Sequence, residues 1–487
     1  MLFNSYDFMF AFLPLILWAH AWALRRRGPR AAGTVLAIAS LVSYGWWYAP
    51  YLLVLLASIV VNFWLGVRLG DETRPDAQRH RLLQLGLALN LGTLGFFKYL
   101  GWGVETAEAL LGVAIRFPEI ALPIGISFYT FQQVAYLVDA RRGKCREHDF
   151  VDYVLFVTFF PQLIAGPIVH HGEMLPQFRE GRAPSDTDRA VGLTFFGVGL
   201  AKKVLIADFM APYVDTTFGR AAAGQDVSSA MAWQGILAYQ FQLYFDFSGY
   251  SDMAIGLGRL FGIKLPANFD APYRCTSMSE FWRRWHLTLS RFLREYLYIP
   301  LGGNRLGEER RRLNMFLTLF LAGIWHGAGW TYVLWAIQMA GYVYLHDHWR
   351  HRTGGLPENA LGTAIGRTVS WLCMMFSWPL FRCETVDGAM VLLKAMVLSG
   401  DAGIGKLQGP IVVAFVVLTL WTQFAPTTQQ WMRNYEPVHG FKPIDDLTLS
   451  DRWSWAPTRG WAVALTFVFL LCIPVLDRAD AFLYWAF

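Results

Sequence analysis

Charge is what this chain has least of. Only 16% of its 487 residues are Asp, Glu, Lys or Arg, against about 25% in an average soluble domain. Hydrophobic residues make up 55%, and the mean hydropathy is +0.32. That shortage excludes the row of soluble domains that length alone suggests, and points to one helical membrane body. Cysteine is also scarce. The five residues Cys145, Cys275, Cys373, Cys383 and Cys472 form no CxxC, which excludes a disulfide framework or zinc knuckle and leaves isolated thiols packed among helices. No internal repeat or low-complexity tract is apparent. The net charge of +6 is no nucleic-acid signal, because the positive residues gather in short clusters between apolar runs, as loops do under the positive-inside rule. The first apolar stretch, 8–24, has Arg25, Arg26 and Arg27 after it rather than before it. That is the wrong flank for a signal peptide, so the stretch reads as a retained first helix with its N-terminus outside.

What the chain has in abundance is apolar runs. They lie at about 8–24, 31–48, 51–69, 82–100, 121–139, 150–169, 190–215, 231–262, 313–345, 361–380, 386–399, 409–425 and 459–476. A span takes about 20 residues, so the sequence predicts an all-α polytopic protein of about eleven crossings plus one or two re-entrant pieces. The run 150–169, broken by Pro161, Gly166 and Pro167, is a candidate re-entrant piece, and 313–345 is too long for one unbroken span. The basic residues at 25–30, 68–81, 141–146 and 310–312 are expected in the cytoplasm, and 48–51 and 101–119 outside.

Three segments can carry chemistry. In 313–345 the sole ionisable side chain besides Tyr332, Tyr342 and Tyr344 is His326, between Gly323, Gly327 and Gly329. Thirteen residues at about 1.5 Å each place it roughly 20 Å deep. A histidine there needs a polar cavity or a partner. Kept neutral, it suits a general base that takes a proton from a hydroxyl as the oxygen attacks an acyl carbonyl; a hydrogen-bonded histidine between helices is the plainer alternative. In FWRRWHLTLSRFLREYLYIP at 281–300, Phe281, Trp285, Leu289, Phe292 and Tyr296 make one helical stripe, with Trp282 and His286 beside it. Arg284 and Arg291 take another face. This reads either as an interfacial helix whose arginines meet lipid phosphates or as a tunnel mouth whose Arg283, Arg284, Arg291 and Arg294 receive an anionic donor. In QLYFDFSGYSDMAIGLG at 242–258, Asp246 and Asp252 sit in an apolar run and need partners; they line a reaction chamber or pair neighbouring helices. The group His346, Asp347, His348 and His351 stands with Arg350 and Arg352 at a run's end, a positive flank rather than a metal site, and His170 with His171 looks similarly interfacial.

These segments together resemble the membrane-bound O-acyltransferase (MBOAT) family, in its bacterial alginate O-acetylation branch. The matching blocks are ALPIGISFYTFQ at 121–132, FFPQLIAGPI at 159–168, QLYFDFSGYSDMAIG at 242–256, FWRRWHLTLSRFLREYLYIPLGGNR at 281–305 and LAGIWHGAGWTYVLWA at 321–336. The resemblance is strong over 1–350 and weak beyond, where 351–487 supplies C-terminal helices of the same single domain. It implies tilted helices around a tunnel, with His326 of the WHG block as the catalytic histidine, Trp325 beside it, and His286 of the RRWH block as the second family histidine. It also implies a multi-pass protein of the bacterial inner membrane. Acetyl-CoA would serve as cytoplasmic donor, with no bound cofactor or metal, and the acetyl group would pass to an exported polysaccharide such as alginate through a periplasmic SGNH-type partner. Transfer of D-alanyl groups, or acetylation of peptidoglycan or cellulose, is the enzymatic alternative. A polysaccharide or lipid-intermediate transporter is the non-enzymatic one, and that class ordinarily shows inverted repeats.

Overall fold

Helices and the loops between them make up the whole described chain in the computed structural model, which describes all residues except 116, 119, 146–148, 399–408, 446–452, 479–481 and 484–487. Arg146 and Glu119, the last residues of two loops assigned to a side above, lie outside the described residues. The elements that position the site are α1 (Asp7–Arg27), α2 (Pro29–Gly45), α3 (Ala49–Gly70), α4 (Asp76–Leu111), α5 (Ile126–Arg141), α6 (Phe150–Thr158), α7 (His171–Glu180), α8 (Asp186–Ala222) and α9 (Ser229–Leu260). They continue with α10 (Met278–Trp282), α11 (Leu287–Leu293), α12 (Glu308–His326), α13 (Trp330–Thr353), α14 (Ala360–Arg382), α15 (Val386–Leu398), α16 (Gly409–Phe424) and α17 (Arg459–Cys472).

α1, α3, α8 and the segment Arg459–Leu476 are long and apolar enough to cross a membrane by length and hydropathy alone. Their outer faces carry exposed Leu15, Trp18, Leu53, Val60, Val463 and Phe467, an apolar belt that lipid covers at no cost. Local chemistry sets the boundaries. Gly28, at φ 84°, ends α1 in a conformation closed to most side chains, and Pro29 then opens α2 with its φ already helical. Asp149 caps α6 by accepting from the Val151 and Asp152 amides at 2.9 and 3.2 Å.

The centre of the protein is α9, buried almost continuously from Ala238 to Leu260. It packs on α8 through glycines seven residues apart on both helices. A Cβ on Gly199 would lie 2.5 Å from the Gly249 carbonyl oxygen, and one on Gly256 would lie 2.6 Å from that of Gly192. Only hydrogen fits at such a crossing, as in small-residue interfaces between membrane helices.

Charged ends collect on one face. Arg30 pairs with Asp149 at 2.5 Å, Arg141 with Asp76 at 2.6 Å and Arg179 with Asp152 at 3.1 Å. The last pair joins the start of α6 to the end of α7, so residues 150–180 leave and return at the same face, an excursion that contains the run 150–169. From that basic face α4 runs to the opposite one.

The long run 313–345 resolves into a hairpin. α12 ends at His326, and the chain reverses through extended Gly327 and Gly329 into α13. A methyl on Gly323 would overlap Ala336, and one on Gly327 would enter the Tyr332 ring. Asp347 of α13 closes the base of the hairpin by accepting from Arg311 at 2.6 Å and Arg312 at 3.2 Å. The run 281–300, in contrast, is not the single helix its stripes predict. It breaks between α10 and α11, with His286 at φ 45°. Tertiary hydrogen bonds outweigh the helical pattern there: Asp270 N–H donates to the Arg284 carbonyl and Leu287 N–H to the Asn268 carbonyl, both at 2.9 Å.

Candidate active site

Two buried imidazoles lie at the middle of this architecture. His326 is the last residue of α12 and is almost fully buried. Its Nδ1 lies 2.7 Å from the Ala322 carbonyl oxygen one turn back. A carbonyl only accepts, so Nδ1 carries the hydrogen and Nε2 the lone pair. His286 is likewise buried, and its tautomer follows from a chain of donors. The Ile168 amide donates to the Thr288 hydroxyl at 2.9 Å, so that hydroxyl donates onward to Asn268 Oδ1 at 2.6 Å. Asn268 Oδ1 is therefore the acceptor for His286 Nδ1–H at 3.3 Å, while Asn268 Nδ2 donates to Ser251 at 3.2 Å. Nε2 of His286 again bears the lone pair. The left-handed backbone at this non-glycine residue costs about 1–3 kcal/mol, and such strain concentrates at functional sites.

Aromatic rings connect the two imidazoles. Phe128 of α5 stacks 6.4 Å from His286 and meets Trp325 edge-on at 6.0 Å. Phe247 abuts His286 at 4.9 Å, and Trp335 and Phe381 meet His326 at 5.1 and 5.5 Å. Trp325 stacks on Phe131 at 5.0 Å and Phe131 on Phe292 at 4.3 Å, and Tyr296 follows in a tilted contact at 5.1 Å. A small cleft of about 30 Å³ reaches His326 and Trp325, walled by Lys98, Ile164 and the segment 122–128. That segment follows the loop at the far end of α4, so the cleft lies toward the face opposite the basic one.

The arginines divide into two kinds. Arg284 is buried with all five N–H donors committed: two to Glu280 at 2.6 and 2.9 Å, two to Asp445 at 2.9 Å, and one to the Asp270 carbonyl at 3.3 Å. Burial alone would raise the Asp445 carboxyl, but the Arg284 hydrogen bonds and the charges of Arg284, Arg274 and Arg367 hold it below its ordinary range. Arg291 makes a bidentate pair with Glu173. Arg283 and Arg294 are exposed, the latter 3.3 Å from Glu295. Asp246 and Asp252 belong to helix pairing. Asp246 takes Lys203 at 2.7 Å and the Leu483 amide at 2.9 Å; Asp252 takes Lys202 at 2.6 Å and the Thr428 hydroxyl at 2.7 Å.

His170 and His171 do more than flank a helix. Both Nε2 atoms reach Asp139 Oδ2, at 2.8 and 3.2 Å, and Tyr296 donates to the same oxygen at 2.6 Å. Asp139, His170 and His171 are close enough to share a metal ion, but His170 Nδ1 accepts from the Gly172 amide at 3.2 Å. Its Nε2 therefore carries hydrogen and donates to Asp139, the pattern of a clasp between α5, α7 and the turn after α11. Lys98, Asn268, Thr288 and Asp139 escaped the reading of the sequence. Lys98 alone left a visible sign, a single charge in the run 82–100.

A polytopic helical protein with one buried histidine at a cleft and a second held on its own hydrogen-bonded scaffold fits a membrane-embedded transfer enzyme. The model of the MBOAT, membrane-bound O-acyltransferase, family matches residues 46–386. A peptidoglycan O-acetyltransferase of Helicobacter pylori is 40% identical over 434 residues, covering 82% of this chain and 80% of its own length. A probable alginate O-acetylase AlgI of Pseudomonas aeruginosa is 38% identical over 438 residues, covering 86% and 81%. A teichoic acid D-alanyltransferase of Streptococcus thermophilus is 27% identical over 284 residues, covering 53% and 68%. The chain belongs to the MBOAT family and is a multi-pass membrane acyltransferase.

Proposed function

We propose that this enzyme takes an acetyl group from acetyl-CoA at its basic, cytoplasmic face and delivers it across the bacterial inner membrane for O-acetylation of an exported polysaccharide. The observation that carries the reading is the tautomer of His326: with Nδ1–H bound to the Ala322 carbonyl, Nε2 is a base beside a cleft on the side away from the donor. An acceptor hydroxyl entering that cleft loses its proton to Nε2 as its oxygen attacks the thioester carbon. His286, on its own hydrogen-bonded scaffold, supports the same chamber, and Trp325 and Phe128 wall it against water. Arg283 and Arg294, the two exposed arginines of the 281–300 segment, suit the phosphates of the donor. A periplasmic SGNH-type protein is the intermediate carrier of the acetyl group.

The names of the relatives favour acetyl transfer to a polysaccharide, of peptidoglycan or alginate type, over the D-alanyl transfer to teichoic acid named for the more distant one. His326→Ala is expected to abolish ester-linked acetate while the protein still inserts. The test measures acetate on isolated peptidoglycan and on secreted exopolysaccharide, in deletion strains carrying wild type or His326→Ala. The polymer that loses acetate is the acceptor. Normal acetate on both polymers would overturn the assignment.

A further inference from the structure

Lys98 stands at His326 with no part in the reaction just described. It is the sole charged residue of the stretch 82–100, and an ammonium inside a membrane is retained only where it has partners and work. Its side chain is buried, and it donates to the Trp325 carbonyl oxygen, the residue before His326. It lies 5.5 Å from the Trp325 ring centroid and borders the same cleft as His326. The adjoining Tyr99 hydroxyl donates to the Ile324 carbonyl at 3.1 Å. Both carbonyls belong to the last turn of α12, where the Gly327 amide also reaches the Ile324 oxygen at 3.2 Å and the helix dipole favours a cation. An ammonium has three N–H donors, and the Trp325 carbonyl takes one.

We infer that Lys98 is the electrostatic partner of His326: it ties down the end of α12 and turns its remaining donors into the cleft, where they hold the oxyanion formed on the acyl group. This rests on the acyl-transfer reading above. In that step the acceptor oxygen bonds to the acyl carbon, the carbonyl π pair moves onto the acyl oxygen, and the hydroxyl proton passes to His326 Nε2. Re-forming the carbonyl breaks the carbon–sulfur bond, and the departing thiolate takes the proton back from the imidazolium. Lys98 neither gives nor takes a proton in the step. Because the Trp325 carbonyl already fixes its position, no reorganisation is needed when the negative charge appears.

The test uses inside-out membrane vesicles from cells deleted for the native gene and expressing each variant. They receive [14C]acetyl-CoA, and label in polymer-bound ester is followed per unit of inserted protein. Lys98→Met is expected to lower kcat by about 100-fold, the loss typical of one oxyanion donor, with KM for acetyl-CoA within about threefold. Lys98→Arg restores part of the rate because it keeps the charge. Tyr99→Phe removes a tether from the same helix turn without removing charge, and is expected to stay within about threefold of wild type. A loss of less than about tenfold in Lys98→Met, or equal losses in Lys98→Met and Tyr99→Phe, overturns the inference. Should Lys98→Met fail to insert, Lys98→Gln, which keeps a donor for Trp325 but no charge, takes its place under the same thresholds. His326→Ala in parallel separates the two ideas. If it remains active, the acyl-transfer site itself falls; if it is inactive while Lys98→Met is active, only the role of Lys98 falls.

Discussion

Arg284 separates a scaffold from a donor-binding mouth, because the two roles require opposite behaviour of one substitution. In the structure its guanidinium is enclosed, with two hydrogen bonds to Glu280, two to Asp445 and one to the Asp270 carbonyl. No N–H remains for a phosphate. Arg284→Met keeps much of the volume but leaves the Glu280 carboxylate, whose side chain is 15% exposed, without its cation. Breaking a buried pair from one side costs about 3–5 kcal/mol, a factor of more than about 100 in the folded ratio. The loop bearing Asp445 also loses one of its anchors, beside those from Gln430 and Asp270. The expected outcome is a large drop in the thermal midpoint of the detergent-solubilised protein, read by size-exclusion with tryptophan fluorescence. The surviving folded fraction should keep a KM for acetyl-CoA within about twofold of wild type. Replacing Glu280 and Arg284 together by apolar residues should cost less than the single change, since Glu280 no longer stands as a buried charge without its cation, while Asp445 keeps Arg274 at 4.0 Å. A stable Arg284→Met protein with a KM raised tenfold or more would refute the reasoning and return Arg284 to the donor site.

The complementary change, Arg294→Gln, should raise KM for acetyl-CoA several-fold without moving the thermal midpoint, because the side chain is exposed and held only by its neighbour Glu295; an unchanged KM would remove Arg294 from the donor mouth. Asn268→Leu strips His286 Nδ1 and Thr288 of their common acceptor, and is expected to lower acetyl transfer by about 10- to 100-fold at normal insertion. Full activity in vesicles would show that the His286 tautomer does not matter. Gly256→Ala forces a methyl to 2.6 Å from the Gly192 carbonyl oxygen and the Phe196 nitrogen. It should destabilise the crossing of α8 and α9 by about 1–3 kcal/mol, whereas Gly197→Ala, which meets nothing within 4 Å, should leave the melting profile unchanged.

The legible part of this molecule lay where one residue type met one solvent. An isolated histidine among glycines in a chargeless run has few explanations in lipid, so His326 and the break beside it were readable directly. Pro161, Gly166 and Pro167 marked the run 150–169 as a candidate re-entrant piece, and the excursion in the structure continues past it to residue 180. The helix drawn through 281–300 was not the one that forms. Its periodicity is genuine, since Phe281, Trp285 and Leu289 are all buried. But periodicity carries no information about Asn268 and Asp270, whose backbone groups pull residues 284–287 out of helical register. The arginines of that segment looked equivalent in sequence, and separated only once Glu173, Glu280 and Asp445 arrived from other parts of the chain. His170 and His171 looked like interfacial flank until Asp139 and Tyr296 converged on them.

By itself, the sequence determined the solvent and the class. Scarce charge with long apolar runs demands helices in a bilayer, and five ordered blocks mark the acyltransferase family. Which polar groups are partners was decided by tertiary structure alone. Hydrogen bonds and ion pairs are contacts over a few ångströms between residues up to 467 positions apart, as Tyr6 and Ile473 are. Local pattern reports which face of a helix is apolar. It does not report whose carbonyl fixes a histidine's tautomer, or which lysine waits at the end of the helix that carries it.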